Sequence, residues 1–103
     1  MKLIIEDDEG KTTVYPMGGR EVTVGRKEGN TIRLMERNVS RRHARLFEMA
    51  GRLVIEDLDS YNGIHLNGER VLGRAELQAG DLVIIGDYHL GFQPEDDEDD
   101  TFD

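Results

Sequence analysis

The sequence predicts an all-β fold built from many short strands, a sandwich or a barrel. Two observations predict it. Turn-forming groups recur along the whole chain: Asp8-Glu9-Gly10, Gly18-Gly19, Glu28-Gly29-Asn30, Ala50-Gly51, Asn62-Gly63, Asn67-Gly68, Ala79-Gly80-Asp81 and Gly86-Asp87. Between them lie short β-prone runs, several of which alternate apolar and polar residues, as at Val22/Val24 and Ile32/Leu34. Close-spaced short strands separated by turn signals are the pattern of a sandwich or barrel.

In chain order the runs are 3–6, 12–15, 21–24, 31–34, 53–56, 64–66, 82–85 and 89–92. Asn62-Gly63 and Asn67-Gly68 each fall where a two-residue hairpin turn is expected. The segment 35–50 reads in two ways. Met35, Val39, His43, Leu46 and Ala50 fall at helical spacing, with Gly51 placed as a C-cap, while 44–49 also reads as a strand. Periodicity alone does not decide between them. The stretch 77–86 reads as a turn feeding an apolar strand, hence scaffold.

Length and composition narrow the function. A chain of 103 residues fits one domain with a small core. With no cysteine there is neither a disulfide framework nor a thiolate metal site. The opening Met1-Lys2-Leu3-Ile4-Ile5-Glu6 is too short for a signal-peptide core and runs into acidic residues. No apolar run approaches membrane-spanning length. A cytoplasmic, monomeric domain with no membrane partner is the expectation.

The net charge of −9 is unevenly distributed. Seven carboxylates and no basic residue lie in 94–103, a segment too poor in apolar residues to fold. It is expected to be a disordered acidic tail or the start of a linker, leaving 1–93 as the domain. Within 26–45 the sign reverses, with seven basic residues against Glu28 and Glu36.

Four groups carry the candidate chemistry. Gly25-Arg26 ends the strand 21–24; glycine permits close backbone approach, and the arginine fork suits phosphate or carboxylate. Alone it reads as a surface arginine after a turn. Val39-Ser40-Arg41-Arg42-His43 combines a hydroxyl with guanidinium groups, as a doubly charged phosphate requires. Its bland reading is a solvated basic loop. Asp57-Leu58-Asp59-Ser60-Tyr61-Asn62-Gly63 carries, at Asn62, an amide that can donate to and accept from a peptide backbone. Asn67-Gly68 reads as a turn.

Together, in this order and followed by Gly80-Asp81, these groups resemble the forkhead-associated (FHA) domain family, and the resemblance covers about 3–92. It implies an FHA-type β-sandwich of about eleven short, mostly antiparallel strands with no substantial helix, and it favours a strand at 44–49. It implies binding of a phosphothreonine peptide, in phosphorylation-dependent protein–protein interaction and signalling, without enzymatic activity. Arg26 and Ser40 would contact the phosphate, assisted by Arg41 and Ser60. Asn62 would hold the peptide backbone, with Tyr61 beside it. Gly25, His43, Gly63 and Asn67 would shape the loops, His43 by bonding inside the protein. The partner would be a threonine-phosphorylated protein, with Ser/Thr kinases and their substrates as candidates. No cofactor, metal or nucleic acid is implied. One departure is Tyr61, where the family often has threonine; Ile64 stands in place of a second common threonine.

Three rival readings exist. A hydrolase using Ser40 and His43 would need a nucleophile–base hydrogen bond and an oxyanion hole, and the chain has no Gly-x-Ser-x-Gly elbow. His43, His65 and His89 match no ligand spacing for a metal. Nucleic-acid binding is the main alternative: a helix over 35–50 would align Arg37, Arg41, Arg42 and Arg45. The negative total and the few aromatics weigh against it.

Overall fold

The structure, a computed structural model, describes residues 1–94. Among these residues there are eleven strands and no helix. The strands are β1 (Lys2–Glu6), β2 (Thr12–Pro16), β3 (Val22–Gly25), β4 (Ile32–Arg33), β5 (Ala44–Met49), β6 (Arg52–Asp57), β7 (His65–Leu66), β8 (Glu69–Arg70), β9 (Arg74–Leu77), β10 (Val83–Ile85) and β11 (Tyr88–Gln93). They form a six-stranded sheet, β2-β1-β11-β10-β7-β8, and a five-stranded sheet, β4-β3-β5-β6-β9. The pairings are antiparallel except that β3 runs parallel to β4.

Alternation explains the core. A strand sends successive side chains to opposite faces, so each sheet turns one set toward the other. Leu3 and Ile5 of β1, Val83 and Ile85 of β10, and Leu90 of β11 face inward from one sheet. Val22 and Val24 of β3, Leu46 of β5, and Leu53 and Ile55 of β6 meet them from the other. Leu46 lies opposite Ile55 in the β5/β6 register, so inward residues of neighbouring strands sit side by side.

The helical reading of 35–50 is wrong, and with it goes the structural basis for a nucleic-acid-binding helix. Val39, His43 and Leu46 are buried as that reading required, but Met35 is 63 % exposed. From Ala44 onward the burial period is two: Ala44 and Leu46 point inward and the intervening residues outward. Ala50 and Gly51 both adopt positive φ and close the two-residue turn between Met49 and Arg52. Gly51 is therefore a hairpin residue, not a helix cap.

A second expectation also fails. Asn62-Gly63 makes no hairpin, because β6 and β7 belong to different sheets. The Asn67-Gly68 hairpin does form, joining β7 to β8. The expected disordered tail falls, from residue 95 onward, outside the described residues. No helix among the described residues is long and apolar enough to cross a membrane.

The crossing between sheets gathers three loops at one end: 26–31, 34–43 and 58–64. Backbone hydrogen bonds stitch them together. The amide of Arg26 donates to Ser40 O (2.9 Å) and that of Lys27 to Arg41 O (3.1 Å). The amide of His43 donates to Val24 O (2.9 Å), and that of Leu58 to His43 O (3.0 Å).

Candidate functional site: the loop cluster around Ser40

Gly25 ends β3 where the 34–43 loop crosses it. A Cβ at Gly25 would lie 2.2 Å from Arg41 O and 2.8 Å from Asn30 Nδ2, so no larger residue fits without moving backbone. That close approach brings Arg26 against Ser40.

Arg26 is half-buried, and its Nε donates to Val39 O at 3.0 Å. Among the described residues its two terminal nitrogens have no hydrogen-bond or ion-pair partner. The bond to Val39 thus fixes the fork while leaving its outer donors available. Ser40 is similarly divided. Its Oγ accepts the Tyr61 amide at 2.9 Å, which leaves the hydroxyl hydrogen free to donate. Arg41 is exposed, while its carbonyl is taken by Lys27 N–H and by Asn30 Nδ2 (2.8 Å).

His43 is fully buried. Its Nδ1 accepts the Ser40 amide at 3.0 Å, and its Nε2 lies 2.7 Å from Gly63 O. An amide can only donate and a carbonyl only accept, so the ring is neutral with its proton on Nε2. Desolvation lowers its pKa; the bond to the Gly63 carbonyl and the nearby Asp57 partly oppose this. Neither ring nitrogen is bonded to the Ser40 hydroxyl, so the pair lacks the nucleophile–base contact a hydrolase requires.

Ser60 is bonded within its own loop. It is 7 % exposed and donates its only hydroxyl hydrogen to Asp57 Oδ1 at 2.5 Å. Ser60 Oγ in turn accepts the Gly63 amide at 3.0 Å. Through these two bonds Ser60 frames the 58–64 loop. Gly63 is held at both ends, its N–H by Ser60 and its C=O by His43, at φ +82°, where glycine is favoured.

Asn62 is exposed, and one hydrogen of its Nδ2 donates to Asn38 O at 2.9 Å. Its Oδ1 and second amide hydrogen have no partner among the described residues. Tyr61 is 89 % exposed and contributes its backbone amide to Ser40. Asn67 lies apart from this cluster. It ties its own hairpin to the β9–β10 connection, donating to Asp81 Oδ1 (3.0 Å) and accepting from Leu82 N–H (2.9 Å).

The structure therefore brings Gly25, Arg26, Ser40, Arg41, His43, Ser60, Tyr61, Asn62 and Gly63 together and leaves Asn67 outside. It gives parts to three residues to which sequence reasoning assigned no role. Asn30 donates through Nδ2 to Lys27 O (2.7 Å) as well as Arg41 O. Asn38 supplies the carbonyl that orients Asn62. Asp57 anchors Ser60. Only Asp57 left a signal: an acid three residues before a serine at a strand end suits a side-chain turn.

The basic cluster is smaller than the sequence count suggests. Arg45 is turned to the outer face of β5, where Glu56 and Glu21 (2.9 Å) hold its guanidinium. No histidine joins a metal-like group among the described residues. The one convergence of possible ligand atoms there is three carboxylates, Asp8, Glu36 and Asp87.

Sequence and structure comparisons identify the family and the fold. The sequence matches the FHA domain family over residues 22–86. It is 38 % identical over 79 residues to the transcriptional regulatory protein EmbR of Mycobacterium tuberculosis, covering 77 % of this chain and 20 % of EmbR. The chain thus spans about a fifth of that relative's length. A solved complex of M. tuberculosis EmbR with a low-affinity phosphopeptide superposes with a TM-score of 0.76 at 32 % identity, covering 89 % of this chain and 24 % of that one. A second structure, from work on phosphothreonine-dependent FHA domain interactions, superposes at 0.72 and 25 % identity, covering 92 % of this chain and 100 % of that one. With the family pattern spread over the strands and loops that build the Ser40 cluster, the chain belongs to the FHA domain family.

Proposed function

We propose that this domain binds a phosphothreonine-bearing segment of a partner protein and works as a phosphorylation-dependent interaction module. One observation carries the reading: Arg26 and Ser40, joined by a backbone bond, each spend part of their bonding capacity on the frame and keep donors free. A planar guanidinium beside a hydroxyl donor matches a dianionic phosphate. In this reading Arg41 adds charge at the rim, and Asn62 takes the peptide backbone through its unused amide groups. The phosphopeptide bound by EmbR and the phosphothreonine dependence of the second FHA relative support the ligand class.

The test is calorimetry with one peptide in phosphorylated and unphosphorylated forms. Charge-assisted hydrogen bonds are worth about 1.5–3 kcal/mol each, so phosphorylation is expected to tighten binding at least ~10-fold. Arg26→Ala and Ser40→Ala should each remove most of that gain. Equal affinity for the two peptide forms would overturn the proposal.

A further inference from the structure

Gly63 is buried although its loop reaches the surface, and part of its cover is the side chain of the exposed Arg70. A Cβ at Gly63 would stand 2.6 Å from Arg70 Nε, 2.8 Å from Cζ and 3.1 Å from Nη2. Three guanidinium atoms at nearly equal distance from one point mean that the group lies across Gly63 and not end-on to it. Arg70 thus fills the place where any other residue would put its side chain.

The β7–β8 hairpin explains how an exposed residue reaches this position. Arg70 pairs with His65, and the amide of Val71 donates to Ile64 O at 2.8 Å, so the pairing runs up to the residue after Gly63. Asn67 pins the hairpin at its tip through Asp81 and Leu82, which fixes the base from which Arg70 extends. The guanidinium has no hydrogen-bond or ion-pair partner among the described residues. Its contact with Gly63 is one of packing, to which a planar group is better suited than a compact ammonium.

The consequence falls on Asn62. Gly63 is tied at its N–H and its C=O, both to buried groups. Asn62, one residue earlier and exposed, has a single bond, from Nδ2 to Asn38 O. Arg70 closes the solvent side of the Gly63 backbone and so limits the motion left to Asn62.

We propose that Arg70 is a positioning residue for phosphopeptide binding: its guanidinium, laid over Gly63, holds Asn62 in the orientation that receives the peptide backbone. The inference rests on the phosphothreonine reading and adds to it a residue that acts on the ligand only through Asn62. A group ordered in advance loses less freedom when the ligand arrives, so the effect is read in affinity.

The experiment titrates the full chain with one phosphothreonine peptide whose other residues are uncharged, so that no flanking acid is offered to Arg70. Calorimetry gives the affinity and stopped-flow fluorescence the dissociation rate. Arg70→Ala should weaken binding by about three- to ten-fold, mostly as faster dissociation. The melting temperature should change by less than ~4 °C, because an exposed side chain without bonds carries little stability. Arg70→Lys keeps the charge and loses the plane, and it should weaken binding almost as much. The loss should persist near ~0.5 M salt, where screening acts within a few ångströms. In an Asn62→Ala background Arg70→Ala should change affinity by less than about two-fold, whereas in an Arg41→Ala background the full loss should remain.

Unchanged affinity in Arg70→Ala overturns the assignment and leaves the phosphothreonine reading standing. So does full recovery in Arg70→Lys or a loss that disappears at high salt, since either marks the charge and not the packing. A loss undiminished in the Asn62→Ala background also overturns it, because Arg70 would then act by another route. A melting temperature lowered by more than ~4 °C in both Arg70 variants would assign the residue to the scaffold. Failure of the phosphopeptide to bind the unmodified domain overturns both readings together.

Discussion

Replacing His43 by alanine removes an imidazole that is fully buried and bonded at both nitrogens. Two backbone groups then lose their partners: the Ser40 amide and the Gly63 carbonyl. Each orphaned buried group costs about 1–3 kcal/mol, and the lost packing adds to this, so roughly 3–5 kcal/mol is expected. A domain of this size has about 5–15 kcal/mol in total. At ~4–8 °C per kcal/mol, the melting temperature should fall by at least about 12 °C. His43→Gln retains an amide hydrogen for Gly63 and should lose roughly half as much. The assay is thermal and urea unfolding followed by circular dichroism, alongside phosphopeptide titration. The pH dependence provides a second check. The folded-state pKa of His43 lies below its ordinary value because burial disfavours the charged ring. The unfolded chain therefore binds the proton more readily. The stability that neutral His43 contributes is complete above ~6.5, and it falls as the pH drops from there through the folded pKa. In His43→Ala that part of the slope should vanish. A melting temperature unchanged within about 4 °C, less than one kcal/mol, with binding lost, would refute the reasoning and make His43 a direct ligand contact.

Other perturbations separate frame from contact. Gly25→Ala should destabilise by about 2 kcal/mol or more, because its Cβ would meet the Arg41 carbonyl, a backbone atom that cannot swing aside; urea unfolding measures it. Ser60→Ala leaves the Gly63 amide unsatisfied and should lower stability by about 1–3 kcal/mol; calorimetry should then show phosphopeptide affinity less affected than in Ser40→Ala. Asn62→Ala should weaken phosphopeptide binding by about 1–3 kcal/mol, and Tyr61→Thr by less, because the Tyr61 contribution seen here is its backbone amide; a larger Tyr61→Thr effect in the same titration reverses the ranking. The Glu36 pKa is raised by desolvation and by its neighbours Asp8 and Asp87. Protonation of Glu36 relieves that crowding, so the destabilisation is absent in acid and sets in as the pH rises through the Glu36 pKa. Asp87→Asn should accordingly raise the melting temperature at neutral pH, with the gain disappearing near pH ~4.

The sequence made the strands with a two-residue period legible, along with the turns between them. What it left hidden has physical causes. Glu69–Arg70 and Arg74–Leu77 went unread as strands because β8 is fully exposed and β9 buries only Leu77 well. An edge strand with one inward residue has no alternation to detect. At 35–50 the buried residues Val39, His43 and Leu46 came from a loop and a strand, and their spacing imitated a helix. Asn62-Gly63 carried a hairpin signal, but a dipeptide cannot report that its flanking strands belong to different sheets. The resemblance located the Ser40 cluster, yet Asn30 and Asn38 became visible only when backbone carbonyls from distant loops were in place.

Residue type alone does not divide the work of this site; the disposition of each proton does. Ser40 and Ser60 carry the same hydroxyl. Ser40 accepts an amide and keeps its hydrogen, whereas Ser60 gives its hydrogen to Asp57. Arg26 and Arg45 carry the same guanidinium. Arg26 spends one nitrogen on a carbonyl, whereas Arg45 is neutralised by Glu21 and Glu56. A neutral His43 links the two loops by accepting from one and donating to the other, and protonation at Nδ1 would eject the Ser40 amide. The frame thus leaves donors available: the Ser40 hydrogen, the outer nitrogens of Arg26 and the exposed cation of Arg41. Donors held in advance by a braced backbone lose little freedom when an anion arrives, which is the condition under which charge-assisted bonds contribute to affinity. The same accounting predicts that Asp57→Asn, by weakening the acceptor for Ser60, would loosen the 58–64 loop and reduce phosphopeptide affinity without touching the ligand. Slower-exchanging Gly63 and Tyr61 amides in Asp57→Asn than in the unmodified domain would contradict it.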